Sequence, residues 1–433
     1  MKIQTIQDAR DYLFTRRATG MKLGLESMKD LVKRLGHPER RLPAVHLAGT
    51  NGKGSTAAII EAILRAAGLK SGLYTSPHLT DERERLRIRG EKISETELLG
   101  HLQILLPHIE AAGASFFEIL TAMAFVHFTE NDVDLAVLET GLGGRLDATS
   151  VITPELSVIT SIGKDHIKTL GDDLVAIAGE KAGIIKPDRP AVIGHVTPEV
   201  KTFFQKHCAD KKSALYFTDD AVKIEALRLS EHGSNFHCQT LDSTYSNLHL
   251  RLVGRHQVSN AATALMAVDM LRRRGFHIPD NAVREGLAHV RWPARLERIS
   301  EKPTIVIDSA HNPMGTQALA EAIASLFTYD RLILVFGVLA DKHYETMLGH
   351  LAPLADGFVF TQPMSDRALD PETLKTHRLV QGKAAISEAD IETAWAKARS
   401  LAGENDLIVA AGSMYFVGEI LKIEGRAHPQ LIP

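Results

Sequence analysis

Cysteine is scarce: only Cys208 and Cys238 occur in 433 residues. One pair makes no disulfide scaffold and no metal-ligand cluster, and it fits a reducing, cytoplasmic setting. Long apolar runs are missing, and Met1-Lys2-Ile3-Gln4-Thr5 has no apolar signal region, so no membrane role is expected. A basic excess is missing too. Fifty Lys and Arg stand against 53 Asp and Glu, a net charge of -3, which argues against a nucleic-acid binder working through bulk charge. There are no repeats and no low-complexity tracts. The remaining composition, 44% apolar and 24% charged, is that of a globular protein of two or three domains.

The most informative segment is Gly49-Thr50-Asn51-Gly52-Lys53-Gly54-Ser55-Thr56. An apolar run, Ala44-Val45-His46-Leu47-Ala48, precedes it as a buried strand, and a helical pattern follows and stops at Gly68. Strand, glycine-rich loop and helix form the context of a phosphate cradle. Glycines let backbone N–H groups curl around an anion, and the helix N-terminus adds partial positive charge. Lys53 can reach the terminal phosphates, and Ser55 or Thr56 can offer a hydroxyl to Mg²⁺. The spacing departs from the standard P-loop: two residues separate Gly49 from Gly52, and Gly54 intervenes before Ser55. The plain alternative is a turn without a ligand.

Apolar runs at 71–74, 135–138, 156–160 and 191–193 alternate with helical spacing at 118–128 and 260–273. That alternation predicts a mostly parallel sheet covered by helices. Residues 212–253 are polar and short-stranded, and predict a small β-rich appendage. A break near Arg291-Trp292-Pro293 precedes a second α/β series with strands at 304–307, 331–336, 357–360 and 407–410. The expected fold is therefore a P-loop NTPase-like parallel-sheet domain, residues 1–291, followed by a smaller Rossmann-like domain, residues 292–433. Ligands in such sheets bind beyond strand carboxyl ends.

Chemistry-bearing residues cluster at those ends. Glu139 closes a strand before the glycine-rich Thr140-Gly141-Leu142-Gly143-Gly144, which suits a metal ligand beside phosphates or a carboxylate held by local N–H groups. Asp165-His166 follows another strand, and His166 reads as a metal ligand or a structural histidine. Lys181 reads by pattern as a solvated or paired lysine. Asn260, near the start of a helix, can bond an adenine edge or belong to a cap cluster. Arg295 sits in the break, where a cation can clamp phosphate. Asp308-Ser309-Ala310-His311-Asn312-Pro313 ends a strand of the second series, and Asp341-Lys342-His343 is a weaker candidate.

Together these motifs resemble, in order and nearly end to end, the folylpolyglutamate synthase/dihydrofolate synthase family of the Mur ligase superfamily. Lys22-Leu23-Gly24-Leu25, Tyr74-Thr75-Ser76-Pro77-His78-Leu79, Phe116-Phe117-Glu118, Glu180-Lys181-Ala182-Gly183 and Gly412-Ser413-Met414-Tyr415 complete the set. The resemblance implies an ATP-dependent ligase. Gly49, Thr50, Asn51, Gly52, Lys53, Gly54 and Ser55 would cradle the phosphates. Ser76, Glu139 and His166 would hold Mg²⁺, and Lys181 would be carbamylated. Asn260, Arg295 and Asp308 would contact ATP, with His311 near its terminal phosphate. The pterin-bearing substrate would meet Gly20, Met21, Lys22, Leu23, Ser115, Phe116, Phe117, Glu118, Leu146, Asp147 and Ala148. Ser309 departs from the family's usual glycine.

The implied reaction activates the carboxylate of dihydropteroate, or of a reduced folate's glutamate tail, as an acyl phosphate. L-Glutamate then attacks to give an amide, ADP and phosphate. A monomer is expected from the resemblance. Two rivals stay open: a Mur-type ligase of cell-wall peptide, and a nucleotide switch without ligase chemistry.

Overall fold

The computed structural model describes residues 3–18, 24–426 and 431. Strands β1 (Ala44–Ala48), β2 (Ser71–Tyr74), β3 (Leu86–Ile88), β4 (Glu91–Lys92), β5 (Leu135–Glu139), β6 (Leu156–Ser161), β7 (Ala191–His195) and β8 (Leu215–Phe217) form one sheet. Its order is β4-β3-β2-β5-β1-β6-β7-β8. The pairs from β2 to β8 are parallel, and β3 and β4 are antiparallel additions at one edge. Every residue of β1 and β5 is buried, as expected where helices cover both faces of a sheet.

Register sets the site. Leu47 of β1 pairs with Glu139 of β5 on one side, and Ala48 pairs with Ile159 of β6 on the other. The loop after β1 therefore emerges between the carboxyl ends of β5 and β6. The helix Lys53–Ala66 follows it and is buried along Ser55–Leu64.

The expected β-rich appendage is corrected in two respects. Its first strand, β8, pairs with β7 in the large sheet. The rest, β9 (Lys223–Ser230), β10 (Gly233–Gln239) and β11 (Thr244–Leu250), is an antiparallel three-stranded sheet that takes part in the main core. Phe236, Cys238, Tyr245, Leu248 and Leu250 pack in one cluster with residues of the helices Lys53–Ala66, Arg255–Arg273 and Asp280–His289. Alternating exposure along β10 made its polar face read as surface, although the other face is buried.

The second series forms a six-stranded sheet of order β12-β13-β17-β14-β15-β16. Its strands are β12 (Glu297–Glu301), β13 (Thr304–Ile307), β14 (Leu332–Phe336), β15 (Gly357–Phe360), β16 (Ala384–Ser387) and β17 (Leu407–Ala411). All neighbours are parallel except β12 and β13. The sequence shows four of these strands. It hides β12 and β16, which are half-buried edge strands without an apolar run. The mixed α/β fold with two parallel sheets is the expected class.

Candidate active site

A cleft of about 610 Å³ opens at the carboxyl ends of both sheets. All the residues expected to bind nucleotide or metal, or to act in catalysis, line it: 49–55, Ser76, Glu139, His166, Lys181, Asn260, Arg295, Asp308 and His311.

The glycine loop is clamped from β6. Thr50 N donates to Ser161 O at 2.9 Å, Asn51 N donates to Ser161 Oγ at 3.0 Å, and Thr160 Oγ1 donates to Asn51 O at 2.6 Å. Gly52 adopts φ +84°, and a Cβ there would lie 2.3 Å from Asn260 Oδ1, so only glycine fits both the turn and its neighbour. A Cβ on Gly54 would lie 2.8 Å from the Trp292 ring. Trp292, which the motif reading did not single out as a site residue, is thus a wall of the loop. The Lys53 ammonium folds back onto the carbonyls of Gly49 (3.1 Å) and Thr50 (3.3 Å) and lies 3.9 Å from Glu139 Oε1.

Glu139 is buried, and its Oε2 accepts from Ser76 N at 3.2 Å. Burial pushes its carboxyl upward, against the pull of Lys53, the Ser76 amide, Arg295 and Arg85. Among the described residues, no three His, Cys, Asp or Glu side chains gather into a metal cage. Glu139 nevertheless offers an oxygen donor at the cleft floor, and the buried Thr140 hydroxyl beside it has no hydrogen-bond partner among the described residues. That donor set fits a hard cation such as Mg²⁺, which draws the rest of its shell from phosphate and water. His166 adopts a left-handed backbone, φ +52°, stabilised as its N–H donates to Asp165 Oδ1 at 2.8 Å. Desolvation in the cleft, helped by the nearby Lys342, His311 and Lys53, outweighs the pull of Asp165 and holds its imidazole below the ordinary histidine range.

Lys181 comes from the helix Leu174–Ala182, and its ammonium donates to Gly49 O at 2.9 Å. It is 4% exposed, and burial followed by repulsion from Lys53 brings its pKa down to about 7. Arg295 faces Asp308 and Glu139 electrostatically. Asp308 accepts from Leu296 N (2.8 Å) and Ala310 N (2.7 Å), and burial raises its carboxyl against Arg295. His311 lies 3.6 Å from Asp165 Oδ2. Ser309, the departure from glycine, donates its hydroxyl to Ala294 O at 2.8 Å and so ties β13's end to the break.

The described members of the expected substrate set, residues 115–118 and 146–148, do not line this cleft. Gly20, Met21, Lys22 and Leu23 lie outside the described residues. Ser115 and Glu118 form a capping box on the helix Phe116–Glu130, and Glu118 also accepts from Ser27. The Ser-x-x-Glu spacing carried that signal. Asp147 is buried and accepts from Gly141 N, Leu142 N and Thr149 N at 2.8, 2.9 and 3.0 Å, which shapes the loop. Ala148 is buried and Leu146 half-buried. Phe117 reaches the cleft indirectly, because a Cβ on the cleft residue Gly141 would meet its ring at 2.7 Å. Phe116 lies under the Arg85 guanidinium at 5.1 Å.

A phosphate-loop domain and a Rossmann-like sheet meeting at one cleft define the Mur ligase class. Residues 47–268 match the Mur ligase middle domain, and residues 294–414 match the Mur ligase glutamate ligase domain. The dihydrofolate synthase/folylpolyglutamate synthase of Bacillus subtilis (strain 168) is 38% identical, over 96% of this chain and 98% of that protein. The structure of Mycobacterium tuberculosis folylpolyglutamate synthase complexed with ADP superposes with a TM-score of 0.92, at 35% identity, over 97% of this chain and 98% of that one. The bifunctional folylpolyglutamate synthase/dihydrofolate synthase with Mn, AMPPNP and L-glutamate bound gives 0.86 at 31% identity, over 97% and 99%. The chain belongs to the dihydrofolate synthase/folylpolyglutamate synthase family of Mur ligases, which are ATP-dependent acid–amino-acid ligases.

Proposed function

We propose that this chain uses ATP and Mg²⁺ to join L-glutamate to dihydropteroate and to the γ-carboxyl of reduced-folate glutamate tails. The observation that carries the reading is the convergence of the 49–55 loop, Glu139 and Lys181 with Arg295 and Asp308 on one cleft. A switch needs no such second wall. A cell-wall ligase stays the weaker reading, because the high-coverage relatives carry folate-enzyme names.

Residue roles follow from position. Lys53 exchanges its loop carbonyls for phosphate oxygens, and the N–H groups at the start of the helix Lys53–Ala66 donate to the same anion. When bound, Mg²⁺ supplies charge neutralisation during phosphoryl transfer, and Glu139, Ser76 and His166 are its proposed protein partners. Arg295 balances charge from the opposite wall, and Asp308 orients it. Asn260, beside Gly52, contacts the nucleotide, and His311 lies toward its terminal phosphate. The acyl phosphate carboxyl carbon is then attacked by the glutamate amine, and phosphate leaves.

Lys181 is proposed to carry a carbamate. A pKa of about 7 leaves a substantial fraction of neutral amine at neutral pH, and the amine can add CO₂. The charge then changes from +1 to -1, and the carbamate can orient His166 or metal-bound water. Residues 20–23, 115–118 and 146–148 are proposed to meet the pterin-bearing substrate. Residues 1–291 and 292–433 are proposed as the two working units of a cytoplasmic monomer. No helix of the described residues is long and apolar enough to cross a membrane.

ADP release should require acceptor and L-glutamate together, with dihydropteroate and tetrahydrofolate both accepted. Release with UDP-linked peptide, or without any acceptor, would reject the folate reading.

A further inference from the structure

Asn312 does more than start a helix. It caps the helix Pro313–Leu326 by accepting from Gly315 N at 2.9 Å, a task that Ser or Asp performs about equally well. It is 3% exposed, and its amide reaches across the cleft to the phosphate loop. Asn312 Nδ2 donates to Asn51 Oδ1 at 2.8 Å, and Asn51 Nδ2 donates back to Asn312 Oδ1 at 3.2 Å. Asn312 Nδ2 also donates to Asp165 Oδ2 at 3.1 Å, while Asp165 Oδ1 accepts from Lys342 Nζ at 2.7 Å. The amide of Asn312 thus makes two donations and two acceptances, its full capacity. An aspartate could cap the helix but would set oxygen against Asn51 Oδ1 and Asp165. A serine could cap it but would not reach Asn51.

Asn51 itself is held by β6 through its main chain, so the pull from Asn312 acts directly on the loop that bears Lys53. We infer that Asn312 is a positioning residue that ties the phosphate loop to the second domain. Phosphoryl transfer thereby depends on that domain being seated, and ATP is not hydrolysed without amide formation. The inference rests on the ligase reading above and names a coupling element within it.

The test compares ADP released with amide formed in full-length Asn312→Ser and Asn312→Asp, with their melting temperatures. Both variants keep the cap. Amide formation should fall by at least about tenfold, as expected for a small misplacement of a reacting group. ADP released per amide should rise above the wild-type ratio. With Asn51→Ala measured alongside, the loss in the double variant Asn51→Ala/Asn312→Ser should be no larger than in the worse of its two parent variants, because the two side chains act through each other. Wild-type rate and ratio in the folded variants would overturn the inference. So would losses that multiply in the double variant, or unfolding of both single variants, which would make Asn312 purely structural. Failure of the wild-type chain to ligate glutamate would instead reject the underlying ligase reading.

Discussion

The two walls of the cleft are built in opposite ways. The phosphate-loop wall is one continuous run, 49–55, set by the β1 register and pinned by the neighbouring end of β6. The opposite wall is assembled from Arg295, in the break, and from Asp308 and His311, in the loop after β13. The contiguous wall is pinned at one place, by Thr160 and Ser161 at the end of a single neighbouring strand. An assembled wall holds its shape only while several elements keep their places. The first wall is therefore expected to grip phosphate, whereas the second depends on how the second sheet is seated.

The largest effect should come from breaking the continuous wall. Lys53→Ala should lower turnover by roughly 10²–10³ without unfolding the chain, as for other electrostatic donors in a transition state. Steady-state ADP release checks this, and a near-normal rate would place the phosphate charge elsewhere.

Lys181→Ala acts behind that wall and should cost about 10–100-fold, the range for groups that orient metal ligands. Added short carboxylates should restore part of the rate. The pH sign follows from the lowered pKa of about 7. Below it the ammonium dominates and cannot add CO₂; above it the amine forms. Bicarbonate should therefore stimulate freshly CO₂-stripped enzyme more at pH 8 than at pH 6. An equal response at both pH values would count against the carbamate.

A smaller effect should come from the seam between the walls. Gly54→Ala sets a Cβ 2.8 Å from the Trp292 ring and should cost about 1–3 kcal/mol of overpacking, visible as weaker nucleotide binding. Adding Trp292→Ala should relieve it. If the double variant binds no better, the seam does not shape the loop.

Legibility in the sequence follows the same division. The loop could be read from its glycines and flanking periodicity, and β1, β2, β5 and β6 from apolar runs with few polar interruptions. Asn260 and Arg295 could be read only as candidates from a helix start and a chain break, and Lys181 carries no local signature, so that the family resemblance alone marked it. Asn312 was visible as part of a strand-end motif, but its bonds to Asn51 and Asp165 span 261 and 147 positions, which no periodicity reveals. The capping box at Ser115 and Glu118 carried a clear spacing signal that the substrate assignment obscured. Edge strands β12 and β16 stayed hidden because half-exposed strands need no apolar run.

The most direct test is a crystal structure of the full chain with a non-hydrolysable ATP analogue and Mg²⁺. One nucleotide should touch both walls, with Lys53 and Arg295 on its phosphates, Glu139 at the cation and extra density on the Lys181 amine. A nucleotide held by the 49–55 loop alone, with Arg295 and Asp308 far from it, would rule out a two-walled site.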